Sequence, residues 1–403
     1  MRAAMNNIDF DCEVLSPLFS GGAETSAHPE VRAPSIRGGM RFWYRALVGG
    51  STIVASSNAE ESLKKLKEVE GDVFGTTEKG SAVAVLVHKD QPPGIETFHK
   101  DRAIRTPEGD FLPTGKDYLL WSMAARGRPG TPRYQPGRQY TKPGVRFEIR
   151  LQSQTPEGAG ALVKAAAALW LLANLGGLGS RANRGAGSLE VERADPVSGL
   201  AFKPCRSIDE LHTHLSSGIR RCLSLVSSLE TWEAFTDIPD YDILAPTAAE
   251  VWVVSSSPDG WETPWEALEG IGAKLRDYRS HRSSIGRADH DEVLAWLEGG
   301  GPAPQIKRAA FGLPIPFRYS GGGPSDVIIP QQGDRRASPI RIRITRLTRG
   351  RYVGVLTLFK SRFLEAGKQL QLQTRKWKAL PPTDYAVIQD FIRTFDVRQE
   401  VTL

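Results

Sequence analysis

Hydrophobic and polar positions alternate strictly over Ile8-Asp-Phe-Asp-Cys-Glu-Val14. Ile8, Phe10, Cys12 and Val14 fall on one face and Asp9, Asp11 and Glu13 on the other, as in a half-buried strand. Val145–Leu151 alternates in the same way, and Ala82–His88 is an unbroken apolar run suited to a buried strand. Between the first two strands, Ile36, Met40, Trp43 and Leu47 recur at helical spacing, with Ser35 as N-cap for a helix over 36–48. Residues 158–175 are so rich in Ala and Leu that they predict a helix buried on all sides, closed by Gly176. Ser188–Glu192 predicts a further strand. A Pro/Gly-rich insertion covers about 90–143, with a short helix around 116–125.

The order strand, helix, strand, strand, helix, strand is the split βαβ, ferredoxin-like pattern. It recurs more loosely downstream. Helices are expected over 208–229, 264–279 and 383–394, and strands over Val251–Val254, Ile340–Ile344, Tyr352–Leu358 and Val397–Thr402. A chain of 403 residues is long for one core. The expected fold class is therefore α+β, with two tandem ferredoxin-like (RRM-like, βαββαβ) domains carrying insertions, over residues 1–198 and 199–403.

Composition is ordinary for a globular chain, at 40% hydrophobic and 24% charged residues. No apolar run is long enough to span a bilayer, and the N-terminal residues lack a signal-peptide core. Cys12, Cys205 and Cys222 have no paired spacing, so neither a disulfide framework nor a zinc ribbon is expected. These features together suit the cytoplasm.

The net charge of +6 becomes informative through its distribution. Residues 102–150 hold ten Lys/Arg against four Asp/Glu, and residues 331–362 hold nine against one. Two concentrated basic segments in an otherwise acidic chain predict a nucleic-acid footprint.

The densest motif is Gly176-Gly-Leu-Gly-Ser-Arg-Ala-Asn-Arg-Gly-Ala-Gly187. Gly177, Gly179 and Ala182 have the dinucleotide-binding spacing. That fingerprint must follow a strand and open a helix, whereas this stretch follows a helix and opens a strand. What remains is a polyanion cradle, with Gly177, Gly179 and Ser180 offering backbone and Arg181, Asn183 and Arg184 offering side chains. The second half has no glycine at the corresponding junction, Thr394–Val397, which assigns this duty to the first half. In the first helix, Arg37, Arg41 and Arg45 form one stripe with no carboxylate at i+4, so an external anion is their expected partner. Gly38 and Gly39 imply that something packs closely on that helix. The stripe and the loop are expected to face each other across a groove. Arg335 and Arg336 end a Gly/Pro-rich loop and are candidate phosphate contacts, whereas Arg341 and Arg343 alternate with isoleucine as on the wet face of a strand.

Catalytic constellations are scarce. Gly75–Gly80 has P-loop glycine spacing without the lysine, and H-E-x-x-H and G-x-S-x-G are missing from the sequence. His212 and His214 would point to different faces of their helix. No cofactor or metal is expected. His28, in the loop before the first helix, is the one candidate general acid or base.

Val14–Gly22, Pro29–Leu47, Gly176–Gly187, Gly312–Phe317 and Arg335–Pro339 together resemble the RAMP superfamily, and within it the first-subunit family of the Cmr (type III-B CRISPR) effector complex. The resemblance covers nearly the whole chain. It implies a non-catalytic, RNA-binding subunit, placed near the 3′ end of the guide RNA and helping to capture target RNA in antiviral defence. The implied partners are guide CRISPR RNA, single-stranded target RNA and other RAMP subunits, with no membrane. The alternative it leaves open is a metal-independent RNA-processing endonuclease using His28.

Overall fold

The structure, a computed structural model, describes residues 7–21, 28–54, 59–89, 94–107, 109, 111–154, 158–227, 238–299, 301–319 and 323–403. Two four-stranded antiparallel sheets organise it. The first is built from β1 (Asn7–Val14), β2 (Val83–His88), β3 (Arg146–Ser153) and β4 (Leu189–Ala194), in the order β2-β3-β1-β4. The second comprises β5 (Ala249–Ser255), β6 (Ile340–Leu347), β7 (Arg351–Phe359) and β8 (Val397–Val401), in the order β6-β7-β5-β8. A third, smaller sheet joins Ile315–Phe317, Asp326–Pro330, Leu370–Leu372 and Lys378–Ala379.

The connecting helices are α1 (Ala33–Val54), α2 (Ala59–Phe74), α3 (Gly115–Leu120), α4 (Ala159–Leu175), α5 (Ile208–Val226), α6 (Pro264–Arg279), α7 (Ser284–Leu297) and α8 (Ala386–Arg393). Two findings differ from the sequence reading. Ser35 lies inside α1, whose first turn starts two residues earlier with Ile36 N–H donating to the Arg32 carbonyl. Helices α2 and α7 are additional to the expected elements. The Gly75–Gly80 stretch is the turn that leaves α2, with Gly75 in the left-handed region at φ 76°. None of the described helices is long and apolar enough to cross a membrane. Cys12, Cys205 and Cys222 are free and buried.

Helix α4 sits at the centre. Every residue from Ala165 to Leu172 is buried, so the helix has no solvent face to keep polar. It packs against α1, α5 and strands of both sheets. Gly39 accounts for the close approach of α1, because a Cβ there would come within 2.9 Å of Leu172 Cδ1; Gly38 meets no such neighbour. Trp170 reaches from α4 into the notch over Gly218 of α5 and donates its indole N–H to the Ala201 carbonyl at 2.8 Å.

The insertion of the first half leaves its own sheet and docks on the second half. The α3 backbone amides of Gly115 and Lys116 donate to the Glu269 carboxylate of α6, at 2.7 and 2.9 Å. Gly115 and Gly272 bring the two backbones into contact, since a Cβ on Gly272 would lie 2.0 Å from the Gly115 carbonyl oxygen. The apolar clusters likewise draw on both halves of the sequence: one joins β1, α1 and α4 to α5, β5 and β7.

Two outcomes follow. Gly272→Ala is expected to cost about 1–3 kcal/mol by overpacking, although alanine is the better helix former. A urea midpoint at or above wild type would refute the backbone contact. His214, buried against Trp170 with ring centroids 5.3 Å apart, has its pKa lowered by burial to about 4 from 6.5. Its neutral form is therefore the folded one. That contribution is complete above about pH 6.5 and is lost as pH falls towards 4, worth on the order of 3 kcal/mol. His214→Phe should flatten this part of the stability–pH profile.

Candidate nucleic-acid interface

The glycine loop that joins α4 to β4 is folded against protein along its whole length. Ser180 N–H donates to the Phe19 carbonyl at 2.8 Å, and Arg138 reaches the Ser180 hydroxyl at 3.3 Å. Gly187 holds φ 65° with its Cα pressed on the Leu178 carbonyl, where a Cβ would come within 2.0 Å. Gly185, at φ 86°, faces Leu268 and Ile342, and Gly177 and Gly179 lie against the backbone at Ala186 and Phe19. The glycines are thus demanded by chain-on-chain packing.

Strand β6 is the loop's partner. Ile342 N–H donates to the Asn183 carbonyl at 3.2 Å, and Arg341 donates to the Asn183 side-chain oxygen at 2.5 Å. Ile344 N–H donates to the Ser188 hydroxyl at 3.0 Å. Arg341 and Arg343 are therefore not on a wet face. Arg343 is buried and donates to the Leu189 carbonyl and, at 2.5 Å, to the Thr345 hydroxyl; burial lowers its pKa to about 10. Arg341 lies 3.8 Å from the centre of the Phe42 ring and 3.4 Å from Asp242. Arg346 completes the series, bridging Glu13 at 2.7 Å and Glu190. Burial pushes the Glu190 carboxyl up, against the pull of Arg346.

The loop arginines turn inward. Arg181, in the left-handed region at φ 64°, donates through Nε to the Leu119 carbonyl at 2.7 Å. Arg184 donates to the Phe311 carbonyl at 3.3 Å. Burial lowers the pKa of Arg181 to about 10 and that of Arg184 to about 9.

The α1 stripe finds its partners on α2. Arg41 and Arg45 share the buried Glu70 carboxylate, at 2.5 and 2.6 Å, and Arg37 donates to the Phe74 carbonyl at the end of that helix. The expected external anion is replaced by a carboxylate from another element. The two arginine groups thus have different neighbours, α2 for the stripe and α3 with Phe311 for the loop.

What the structure does bring together is Arg45 with Arg335 and Arg336, in a cleft of about 550 Å³ also lined by Phe42, Arg362 and Lys368 and by the carboxylates of Asp240, Asp242 and Glu365, so that cations outnumber anions five to three. Arg336 is anchored by donating to the Phe363 carbonyl at 2.8 Å, and Arg362 pairs with Asp240 at 2.7 Å. Arg335 is exposed, Lys368 is half-exposed, and neither side chain has a hydrogen-bond or ion-pair partner among the described residues. A second hollow of about 650 Å³ adjoins across Arg362 and Lys368. Sequence reasoning missed Lys368 and the role of Arg362, although Arg362 closes the second basic segment. His28 is exposed. Among the described residues, no group of three or more His, Cys, Asp or Glu is placed to hold a metal ion.

Residues 11–190 match the RAMP superfamily. The chain is similar to CRISPR system Cmr subunit Cmr1-1 of Pyrococcus furiosus, at 26% identity over 362 residues that span 88% of each chain. It is 33% identical to Cmr subunit Cmr1-2 of the same organism over 186 residues, 45% of this chain and 94% of that one. Its fold is similar to the crystal structure of apo Cmr1 from P. furiosus, with TM-score 0.58, 22% identity and 98% of both chains covered. A chain of the type III-B Cmr-beta complex bound to cognate target RNA matches at TM-score 0.50 and 14% identity, covering 88% of this chain and 94% of that one.

Glu70→Ala is expected to release Arg41 and Arg45, tightening single-stranded RNA binding at low salt by roughly threefold, the worth of about one exposed charge pair. Fluorescence anisotropy would measure it, and weaker binding by the folded variant would refute a role for the stripe in polyanion contact.

Proposed function

The chain belongs to the RAMP superfamily and, within it, to the Cmr1 family, and from that premise we propose that it is a non-catalytic RNA-binding subunit of a type III-B CRISPR (Cmr) ribonucleoprotein effector. In this reading it holds guide CRISPR RNA near its 3′ end, helps capture single-stranded target RNA in antiviral defence, and assembles with other RAMP subunits. The curated relatives are Cmr subunits, which supports the effector role. Residues 1–198 and 199–403 are read as two tandem ferredoxin-like domains. The matching strand orders, β2-β3-β1-β4 and β6-β7-β5-β8, support that reading.

The observation that carries the RNA assignment is the net-basic cleft, where Arg335 and Lys368 stand without an ion-pair partner among the described residues beside Arg45 and Arg336. Cations with an internal partner are partly discharged before any ligand arrives. Cations without one attract phosphates at long range and hold them by counterion release. Exposed arginine and lysine without a base-reading set read backbone, leaving sequence to base pairing.

The double charge reversal Arg335→Glu/Lys368→Glu tests this. Both side chains are at the surface, so folding is retained. Affinity for a single-stranded RNA should fall at least about tenfold at low salt. The slope of log K against log salt should shrink by about 1.4, which is ~0.7 for each single-strand phosphate no longer neutralised. Unchanged affinity and slope would move the interface elsewhere. Incubation of guide-precursor RNA with the purified chain should give no cleavage. Cleavage lost on His28→Ala would replace this reading with an endonuclease.

A further inference from the structure

Residues 121–135, in the middle of the first basic segment, line neither hollow. They belong to a run of thirty residues, Tyr118–Phe147, that contains six Lys/Arg and no Asp/Glu. Three of those cations are already engaged. Lys142 pairs with Glu96 at 2.7 Å, Arg146 pairs with Glu192 at 3.0 Å, and Arg138 donates to the Ser180 hydroxyl at 3.3 Å. Arg126, Arg128 and Arg133 are exposed and have no ion-pair partner among the described residues. The same insertion also bares aromatic rings. Among the described residues the large exposed aromatic side chains are Phe111, Trp121 and Tyr134, all in the insertion, and Trp377 outside it.

Two of these rings share one loop with the three arginines. Trp121, at the end of α3, is 53% exposed, and the Arg126 guanidinium lies 4.8 Å from its ring centre. Arg126 N–H donates to the Gln135 carbonyl at 2.8 Å, and Gln135 N–H donates back to the Arg126 carbonyl at 2.9 Å. Inside the loop so closed, the Thr131 hydroxyl donates to the Arg128 carbonyl at 2.7 Å. Gly127, at φ 77°, lets the two sides touch, since a Cβ there would come within 2.8 Å of the Arg133 carbonyl oxygen. The backbone is therefore held in shape, while every residue from Ala125 to Pro136 stays exposed.

Neither feature is favourable in the free chain. Like charges on one loop repel, and an open indole keeps apolar surface in water. A ligand that relieves both carries negative charge and flat apolar faces at short intervals. Single-stranded nucleic acid has this chemistry, because its bases are free to stack on aromatic rings and each is followed by a phosphate. A preformed loop lowers the ordering cost of binding, and a guanidinium already seated on the indole adds a cation to the stack.

We propose that Trp121 and Arg126 form a base-stacking platform for single-stranded RNA, with Tyr134 as a second ring and Arg128 and Arg133 as phosphate contacts. This rests on the RNA-binding reading and adds a contact away from the cleft at Arg335 and Lys368.

Anisotropy of the full chain with a labelled single-stranded RNA, and with the same RNA carrying abasic residues, tests the platform. Trp121→Ala should weaken binding to intact RNA at least about fivefold, the low end for one stacked base. Its salt slope should equal that of wild type, because no charge is removed. Trp121→Phe should recover part of the affinity. Arg128→Ala/Arg133→Ala should instead reduce the slope by about 1.4, which is ~0.7 for each phosphate released. Abasic RNA should bind wild type more weakly than intact RNA does, and should bind wild type and Trp121→Ala alike. Unchanged affinity of Trp121→Ala for intact RNA, while Arg335→Glu/Lys368→Glu still weakens binding, would overturn the platform and leave the cleft standing. An equal loss on intact and abasic RNA would overturn it too, since base stacking would not be what was lost. Impaired assembly with other RAMP subunits at unchanged RNA affinity would make the loop a protein interface instead. No RNA binding by wild type would sink both the platform and the effector reading.

Discussion

A strand with three arginines has been buried between two halves of one molecule, and much else in the structure answers to that burial. Withdrawing a guanidinium from water costs several kcal/mol unless acceptors await it. Those along β6 are supplied largely from the first half: the Asn183 side chain, the Leu189 carbonyl, and Glu13 with Glu190. The glycine loop has to bring its backbone close enough to serve. A side chain at Gly185 would meet Leu268 and Ile342 and hold the surfaces apart, and one at Gly187 would collide with Leu178 within the loop itself. Loop composition, strand register and the packing of the two sheets are thus one problem with one solution.

The division of labour among the arginines follows. Those on β6 and in the loop are spent on architecture or lie inside the joint. The ones facing solvent at the cleft, Arg335 above all, retain their field. Net charge locates the two basic segments, but burial decides which charges within them reach a ligand. Segment 331–362 holds both kinds a few residues apart, with Arg335 exposed and Arg343 inside.

The sheets and the buried helix were legible because alternation and unbroken Ala/Leu runs report directly on burial. Gly39 was readable as a close approach, and Leu172 supplies the neighbour. Alternation misled at β6, where the second face is covered by another part of the chain rather than by water. The α1 stripe suggested an absent anion because its partner, Glu70, lies on α2, a helix the periodicity had not revealed. The cleft was half legible. Arg335 and Arg336 stood out beside glycine and proline, but Lys368 joins them only through the fold. Glycine spacing announced a special backbone without saying whether protein or phosphate presses against it.

The burial of α4 between the two sheets has a consequence for synthesis. Its covering elements include α5 and strands of the second sheet, down to β7 at Phe359. At about 5–20 residues per second, roughly ten to forty seconds of translation separate the end of α4 from the end of β7. Throughout that interval the nascent chain carries a helix that is covered by α1 and the first sheet but stays open on the face that β6 and β7 later take. It is a natural client for chaperones that shield such surfaces at the ribosome, and its yield in a cell depends on how fast the second half follows the first.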